Sequence, residues 1–252
     1  MKEFNKIFSQ IAYRYSTMQV FDDFLCLAIC ALSCKRMEDE YLRIIKGYSK
    51  EEITLFSNLL GALILDYEKQ SSQSGAWFDG LGEFFMENNS KFGQDARGQF
   101  FTPEPVCTML ALMTGEQGEE EPKNECRILD PAAGSGRMLI AMDRLKPNNR
   151  FDNFYVAADI DSRCVKMCTL NMFLYGLKGA VIHMNSITME VWGGYRVYLG
   201  DTGLGIRPLS IQECFSFITY NKKSNEVEQL PIIAPEPIFS KSKQSTLQLT
   251  LF

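Results

Sequence analysis

The sequence predicts an α/β protein whose doubly wound parallel sheet is preceded by a helical region and followed by a flexible tail. From Arg127 onward, short apolar runs alternate with helical stretches, which is typical of parallel strands joined by crossover helices. Before that point apolar residues recur at helical spacing, and after Asn221 the chain turns polar and carries three prolines. The predicted regions are therefore 1–96 (helical), 97–220 (α/β) and 221–252 (tail).

The N-terminal region contains three predicted helices. Amphipathic stretches at 4–15 and 20–37 form the first two. Ser49 and Glu52 form a capping box that starts the third, because each side chain can reach the backbone amide of the other residue. The polar segment 71–75 ends that helix.

Strands and helices alternate through the predicted α/β region. Gly176 follows the second helix of this region, at the position where a left-handed residue commonly ends a helix. The predicted strands are 127–130, 153–160 and 180–185, and the predicted helices are 137–145 and 162–175. Two further strands are predicted at 196–199 and 214–220.

The composition is that of an ordinary globular protein, with 46% hydrophobic and 23% charged residues among 252. No apolar run approaches the roughly 20 residues of a membrane-spanning helix. The first residues lack the basic and apolar pattern of a signal peptide, so we expect a cytoplasmic protein with no membrane partner. The net charge of −5 argues against coating nucleic acid through bulk charge, and it leaves room for a local basic surface.

The eight cysteines do not form a recognisable metal motif. Cys26, Cys30 and Cys34 are spaced four apart, and the same spacing recurs at Cys164 and Cys168. The zinc-type Cys-x-x-Cys pairing is absent from the sequence, and the single histidine has no partner pattern. We expect buried, reduced thiols and no metal site.

A glycine-rich loop follows the first predicted strand and opens a helix. Gly134 and Gly136 allow the backbone to approach a ligand closely, and the helix start offers unpaired amides. Asp159 ends the second strand, where a carboxylate can accept hydrogen bonds from both ribose hydroxyls of a nucleoside. The loop lacks the third glycine of a dinucleotide fingerprint and the Gly-Lys-Ser/Thr of a P-loop. The pattern therefore indicates adenosine that carries an amino-acid tail.

Upstream of the sheet, residues 98–104 read Gly-Gln-Phe-Phe-Thr-Pro-Glu. Thr102 and Pro103 predict a helix start, with Thr102 as the cap and Pro103 at the first helical position. Together with Asp-Pro-Ala-Ala-Gly-Ser-Gly at 130–136 and Ala-Ala-Asp-Ile-Asp at 157–161, this segment resembles the amino-methylating DNA methyltransferases. The likeness is to modification subunits of type I restriction systems and related N6-adenine methylases, and it covers 98–186.

The resemblance implies S-adenosylmethionine as the cofactor and assigns its contacts. One segment closes over the methionine end of the cofactor: Gln99, Phe100, Phe101, Thr102 and Pro103. A second segment wraps the methionine tail and the ribose: Asp130, Pro131, Ala132, Gly134, Ser135 and Gly136. Asp159 holds the ribose hydroxyls, and the next residue, Ile160, is a further contact of the cofactor. Asn185 lies where the family contacts the adenine amine, and a strand-end turn explains that residue equally well.

The catalytic loop of the family, Asn/Asp-Pro-Pro-Tyr/Phe, has no counterpart here, because the sequence contains no Pro-Pro dipeptide. In the family this loop accepts hydrogen bonds from the adenine amine and stacks on the flipped base. Asp201 could instead accept from the adenine amine, with Tyr195 or Tyr198 stacking on the base. The competing interpretation is a structural aspartate in a glycine turn. No catalytic residue is therefore assigned.

The last five residues resemble the Gln-Leu-x-Leu-Phe peptide by which bacterial replication and repair proteins dock onto the sliding clamp. The leucine and phenylalanine would enter an apolar groove while the glutamine fixes the register. A terminal strand explains the same alternation equally well. The docking interpretation uses Gln248, Leu249, Leu251 and Phe252.

The sequence as a whole predicts an S-adenosylmethionine-binding protein of the DNA methyltransferase type. By resemblance, its target is adenine N6 in DNA, with a specificity or partner subunit to assist. The alternative is a catalytically inactive methyltransferase-like module that associates with DNA or with the clamp through its tail. A methyltransferase for a small molecule or a protein is a third hypothesis, which the segment at 98–104 disfavours.

Overall fold

The computed structural model of the chain describes residues 1–71, 77–88, 101–114, 127–145, 153–200 and 203–219. Met1–Thr219 form one compact unit. The helices are α1 (Lys2–Ala12), α2 (Thr17–Leu32), α3 (Glu38–Ile45), α4 (Lys50–Ser71), α5 (Gly80–Glu87), α6 (Glu104–Thr114), α7 (Arg137–Leu145), α8 (Ser162–Tyr175) and α9 (Ile211–Ile218). The strands are β1 (Arg127–Asp130), β2 (Phe154–Asp159), β3 (Gly179–Asn185), β4 (Glu190–Gly200) and β5 (Gly203–Leu209).

Helices α1 to α5 build the predicted helical region. The predicted capping box starts α4, since the Ser49 amide donates to Glu52 Oε2 at 2.8 Å and the Glu52 amide donates to Ser49 Oγ at 3.3 Å. Helix α4 ends at Ser71, where the polar segment begins. Phe84 of α5 joins the helices, because its ring lies 4.7 to 5.3 Å from the rings of Phe4, Phe8 and Phe21.

The three predicted strands of the sheet are confirmed, and they are parallel. The strand order is β1-β2-β3-β4-β5, with β1 at one edge of the described sheet. β1 pairs parallel with β2, and β2 pairs parallel with β3. Helix α7 connects the first two strands and α8 the next two, and Gly176 ends α8 in the left-handed conformation with φ of 71°. The predicted α/β class is therefore confirmed.

The second half of the sheet is antiparallel, and the sequence did not predict this. β4 pairs antiparallel with β3, and β5 pairs antiparallel with β4. The predicted strand at 196–199 lies within β4, and β5 has no counterpart among the predicted strands. Only residues 186–189 separate β3 from β4. This connection is too short for the crossover that a parallel pair requires. β4 therefore pairs antiparallel with β3, and the sheet is mixed.

The strand predicted at 214–220 is wrong, because residues Ile211–Ile218 form helix α9. Ser210 and Glu213 make a capping box, with the Ser210 amide 2.9 Å from Glu213 Oε2 and the Glu213 amide 3.3 Å from Ser210 Oγ. Cys214, Phe217 and Ile218 recur at helical spacing and pack against the sheet. The Ser-x-x-Glu signal overrides the local β propensity of these residues.

The two faces of the sheet carry different layers. Tyr155, Ala157 and Val181 point into a large core that includes α7, α8 and the N-terminal helices. The alternate residues Val156 and Ile182 point into a smaller core against α9. Because the large core includes side chains from α1 to α5, the helical region and the sheet share one interior. The predicted boundaries at 96/97 and 220/221 fall outside the described residues.

The cysteines lie mostly in these cores. Cys34 is exposed, and the other described cysteines are buried, namely Cys26, Cys30, Cys107, Cys164, Cys168 and Cys214. Burial raises the pKa of the Cys164 and Cys168 thiols, which keeps them protonated at neutral pH. In the described ranges, no helix by itself has the length and apolar composition to cross a membrane; α1 and α2 pass that test only when joined across a bend of 116°.

Candidate cofactor site

The carboxyl ends of β1 and β2 bring the glycine-rich loop and Asp159 into direct contact. The Gly134 amide donates a 2.8 Å hydrogen bond to Asp159 Oδ2, and the Asp161 amide donates at 2.8 Å to Oδ1. The Ala133 amide also bonds to the Ala158 carbonyl at 2.9 Å. Parallel strands place their carboxyl ends along one edge, so residues 25 apart in sequence meet here.

The two glycines of the loop hold conformations and distances that a side chain would disturb. Gly134 has φ of +54°, and a β-carbon built on it would lie 2.9 Å from the ring of Phe101. Gly136 has φ of +90°, and its β-carbon would lie 2.9 Å from the sulfur of Cys168 on α8. Both positions lie in the left-handed region that glycine adopts at low cost. The loop is therefore packed between the Phe101 ring and α8.

The segment that contains Phe101 is fixed to the loop through Arg137. Arg137 Nη1 donates to the Thr102 carbonyl at 3.2 Å, and its guanidinium lies 5.6 Å from the centroid of the Phe101 ring. Helix α6 begins at Glu104, and the Pro103 carbonyl accepts its first hydrogen bonds, so the helix starts one residue later than predicted. The structure therefore brings Phe101–Thr102, the glycine loop and Asp159 to one edge.

Two carboxylates at this edge are held in surroundings that disfavour their charge. Burial raises the pKa of Asp159, against the lowering effect of its bonds from the Asp161 and Gly134 amides. Burial also raises the pKa of Asp130, and the charge on Asp159 raises it further, while the Ala132 amide lowers it. Desolvated carboxylates of this kind gain most from a ligand that donates hydrogen bonds or carries positive charge.

The remaining predicted contact residues differ in exposure. Pro131 and Ala132 are exposed, whereas Ser135 is buried. The Pro131 carbonyl accepts a 2.6 Å hydrogen bond from Ser186 Oγ, which ties the loop to the end of β3. Ile160, the residue after Asp159, is 59% exposed. The predicted contacts Gln99 and Phe100 lie outside the described residues.

Asn185 has the geometry of the strand-end turn. Its Oδ1 accepts hydrogen bonds from the amides of Ile187 and Thr188, at 3.0 and 3.2 Å. These two donors occupy the side-chain carbonyl that a contact with the adenine amine would use. The turn interpretation is therefore sufficient to explain this residue.

The strand directions place the end of β4 and the start of β5, which flank the alternative catalytic residue Asp201 in the sequence. In the antiparallel pair, Asn185 faces Glu190 and Gly179 faces Val197. The end of β4 at Gly200 and the start of β5 thus lie beyond the amino end of β3, opposite to Asp159. Asp201 lies outside the described residues, and Tyr195 packs in the large core, where burial raises the pKa of its hydroxyl. The Tyr198 ring lies 5.6 Å from the guanidinium of Arg36.

One family model matches the part of the chain that contains the residues of this site. Residues 75–195 match the model of a family described as N-6 DNA Methylase. Over these residues, the chain is similar to the N-6 DNA methylase family. The matched segment contains the glycine loop, Asp159 and Asn185, as well as a buried aspartate, Asp79, that the sequence analysis did not single out.

Longer proteins resemble the chain in part. The methylase subunit of the type I restriction enzyme MpnII of Mycoplasma pneumoniae is 23% identical over 177 residues, covering 62% of this chain and 31% of that protein. The chain thus spans about a third of the length of this curated relative.

Two solved structures also resemble the chain. One is a Listeria monocytogenes protein described as a class I S-adenosylmethionine-dependent methyltransferase, with a TM-score of 0.42, 16% identity, 74% coverage of this chain and 55% of that chain. The other is a Streptococcus thermophilus type I restriction-modification methyltransferase subunit, with a TM-score of 0.35, 17% identity and coverage of 69% and 36%.

S-adenosylmethionine, the cofactor of the N-6 DNA methylase family, fits the chemistry of these residues. The Asp159 oxygens accept hydrogen bonds from the Gly134 and Asp161 amides, and the lone pairs of a carboxylate can accept further donors such as ribose hydroxyls. The absence of a side chain at Gly134 and Gly136 allows the loop backbone to lie close to a ligand.

Proposed function

We propose that the chain binds S-adenosylmethionine at the carboxyl ends of β1 and β2 and serves in adenine-N6 methylation of DNA. The observation that carries this proposal is the hydrogen bond from the Gly134 amide to Asp159, with the Phe101 ring against the same glycine. Three segments far apart in sequence are thereby joined around one edge of the sheet.

The residues of this edge suit the parts of the cofactor. Asp159 accepts the two ribose hydroxyls, and Ile160 packs against the adenine. Asp130 pairs with the ammonium group of the methionine end, which also relieves the repulsion between the two carboxylates. Phe101 and Thr102 close over that end. The bound cofactor supplies an activated methyl group, and these residues fix its direction, which is where orientation contributes to the rate.

Titration calorimetry with S-adenosylmethionine and with its demethylated product tests the binding. We expect both to bind the 252-residue protein, and we expect Asp159→Ala to weaken binding by about tenfold or more. Asp66→Ala is a matched control, because Asp66 is a carboxylate that pairs with the chain's amino terminus, 3.2 Å away on the helical side. Failure of the wild-type protein to bind either compound would remove the proposal.

The second candidate function is a catalytically inactive module that binds the cofactor and associates with DNA or with the sliding clamp. It is favoured by the missing Pro-Pro dipeptide and by the end of β4 and the start of β5, which lie at the opposite end of the parallel strands from Asp159. Transfer of tritiated methyl groups to mixed-sequence DNA separates the two functions. Incorporation into adenine rejects the inactive module, whereas cofactor binding without incorporation supports it or a requirement for a partner subunit.

The tail hypothesis has its own test, since residues 220–252 lie outside the described part of the chain. Deletion of residues 249–252 should abolish recovery of the protein on immobilised sliding clamp if Leu249, Leu251 and Phe252 are the docking side chains. Thr250→Ala is the control, because position 250 is the variable one in the peptide. Unchanged recovery after the deletion rejects clamp docking.

A further inference from the structure

A buried polar cluster joins the helical region to the glycine loop, and its centre is Asp79. This aspartate precedes α5 and is 2% exposed. Its carboxylate accepts four hydrogen bonds, from the Gly82 amide, Asn171 Nδ2, Ser135 Oγ and Arg137 Nε. A buried carboxylate needs such partners, because without them its charge is strongly disfavoured.

One oxygen of Asp79 contacts the residues beside the proposed cofactor site. Oδ2 accepts from Ser135 Oγ at 2.5 Å and from Arg137 Nε at 2.6 Å. Ser135 lies between the two glycines of the loop, and Arg137 reaches the Thr102 carbonyl with its Nη1. A single carboxylate oxygen is therefore linked to the loop directly and to the Phe101–Thr102 segment through one side chain.

The other oxygen anchors Asp79 to the helices behind the loop. Oδ1 accepts from the Gly82 amide at 2.8 Å and from Asn171 Nδ2 at 2.9 Å. Asn171 Nδ2 also donates to the Ser135 carbonyl at 2.7 Å, and its Oδ1 accepts from the Tyr67 hydroxyl at 2.5 Å. The loop residue Ser135 is thus held at its hydroxyl by Asp79 and at its carbonyl by Asn171.

Neighbouring atoms pack tightly around the Asp79 carboxylate. A β-carbon on Gly82 would overlap Asp79 Oδ2 and lie 2.8 Å from Ser135 Oγ. Gly82 lies in α5, where glycine costs helix stability, so its presence is explained by the room that the carboxylate and the serine need. Ser135 is 1% exposed, so its hydroxyl is directed to Asp79 and away from solvent.

We propose that Asp79 is a positioning residue for the cofactor site: its carboxylate sets the spacing between the glycine loop and the Phe101–Thr102 segment. The inference rests on the proposed cofactor function and adds a residue to it. Asp79 does not touch the ligand, and it acts by holding Ser135 and Arg137 in place before binding. Preorganisation of this kind is expressed as affinity, since a loop that is already ordered loses less entropy when the ligand binds.

Calorimetry on the whole protein compares Asp79→Asn with a matched control, Asp143→Asn. Asp143 is 1% exposed and accepts a 3.0 Å bond from the Tyr155 hydroxyl toward the far end of α7. Both variants replace a buried carboxylate with a neutral amide of similar size, so the comparison separates a local effect on the site from a general effect of altering a buried group. We expect Asp79→Asn to weaken S-adenosylmethionine binding by about tenfold or more, and Asp143→Asn by less than about threefold. Equal losses of affinity overturn the inference, because they indicate a general effect of stability.

Ser135→Ala provides a variant that removes only one hydrogen bond and keeps the backbone, and it serves if Asp79→Asn does not fold. We expect several-fold weaker binding in Ser135→Ala. In the double variant Asp79→Asn/Ser135→Ala, we expect a loss of affinity smaller than the product of the two single losses, because the two residues act through one contact. Unchanged affinity in Ser135→Ala, or independent losses, overturn the inference.

Amide hydrogen exchange without ligand gives a readout that a purely global role does not produce. In Asp79→Asn we expect the Gly134 and Gly136 amides to exchange faster, relative to amides in α1, while the Asp143→Asn control leaves this ratio unchanged. An unchanged ratio in Asp79→Asn counts against a positioning role. Absence of binding by the wild-type protein rejects the proposed function, whereas wild-type binding that Asp79→Asn leaves intact rejects the positioning role alone.

Discussion

The ring of Phe101 lies 2.9 Å from the place that a β-carbon on Gly134 would occupy. The two residues are 33 positions apart, and the contact leaves space for glycine alone. Phe101 also packs 5.8 Å from the ring of Phe85 on α5, so it is held from behind. The Phe101 ring cannot move away from the loop without displacing Phe85 of the helical region. The site therefore requires glycine at position 134.

Gly134→Ala should lower both cofactor affinity and stability. The substitution places a methyl group against the Phe101 ring and forces alanine into a left-handed conformation that costs about 1 kcal/mol by itself. We expect a loss of affinity of about tenfold or more, measured by calorimetry. The free energy of unfolding, measured with denaturant, should fall by about 2 kcal/mol.

Gly61→Ala is the matched control for that change. Gly61 lies on the exposed side of α4, and a β-carbon there meets nothing within 4 Å. The control should raise the free energy of unfolding by up to about 1 kcal/mol, since alanine favours helix, and should leave cofactor affinity unchanged. Wild-type affinity in Gly134→Ala would contradict the tight approach of loop and ring.

Cofactor affinity should fall as the pH is lowered, and the fall should begin above the usual pKa of an aspartate, about 3.9. Burial raises the pKa of Asp159 and of Asp130, so both carboxylates become protonated earlier on the way to low pH. A protonated Asp159 accepts ribose hydroxyls less well, and a neutral Asp130 cannot pair with an ammonium group. Calorimetry between pH 7 and pH 4 measures the effect.

The stability of the ligand-free protein should show the opposite contribution from these two residues. Their pKa values are higher in the folded state, so the folded protein binds more protons than the unfolded chain in the window above pH 3.9. Their contribution to stability therefore decreases as the pH rises through the folded pKa. The Asp130→Asn variant, compared with wild type by thermal unfolding across this window, should show a flatter dependence. An equally steep dependence would contradict the assignment.

Arg137→Met should destabilise the protein strongly, because it leaves the Asp79 carboxylate buried beside an apolar chain. The ion pair has an Nε–Oδ2 distance of 2.6 Å, and the two side chains are 9% and 1% exposed. Removal of one partner of such a pair costs about 3–5 kcal/mol. The control is Arg43→Met, which removes an exposed pair with Glu40 and should change the denaturant midpoint little. Similar midpoint shifts in both variants would refute a dominant role for the buried pair.

The local signals of the sequence predicted the parallel half of the fold. β1, α7 and α8 have the predicted bounds, because apolar periodicity, a loop glycine and a helix-ending glycine act over a few residues. The strand prediction at 214–220 failed where two signals competed. Residues 214–220 combine β-favouring side chains with a capping box at Ser210, and the cap and the packing against the sheet decided for a helix.

The candidate site was predicted in part for the same reason. The loop at 130–136 and Asp159 are visible in sequence because a glycine pair and an acid follow two strands at short range. Asp79, Asn171 and Tyr67 carry no such pattern, since their partners lie 56 to 104 residues away and meet only in the folded core. The one local sign of this cluster was an aspartate directly before a helix, since Asp79 caps α5.

The pairing of Phe101 with Gly134 can be tested by combining their substitutions. Phe101→Ala removes the ring that the new methyl group of Gly134→Ala would strike, so part of the destabilisation of Gly134→Ala should disappear in the double variant. The backbone strain at φ of +54° remains, so recovery should be incomplete. We expect the double variant to be about 1 kcal/mol more stable than the sum of the single changes predicts, in denaturant unfolding. Cofactor affinity should not recover, because the double variant lacks the ring that we propose closes over the methionine end. Strict additivity of the two unfolding free energies would mean that the ring and the loop do not touch.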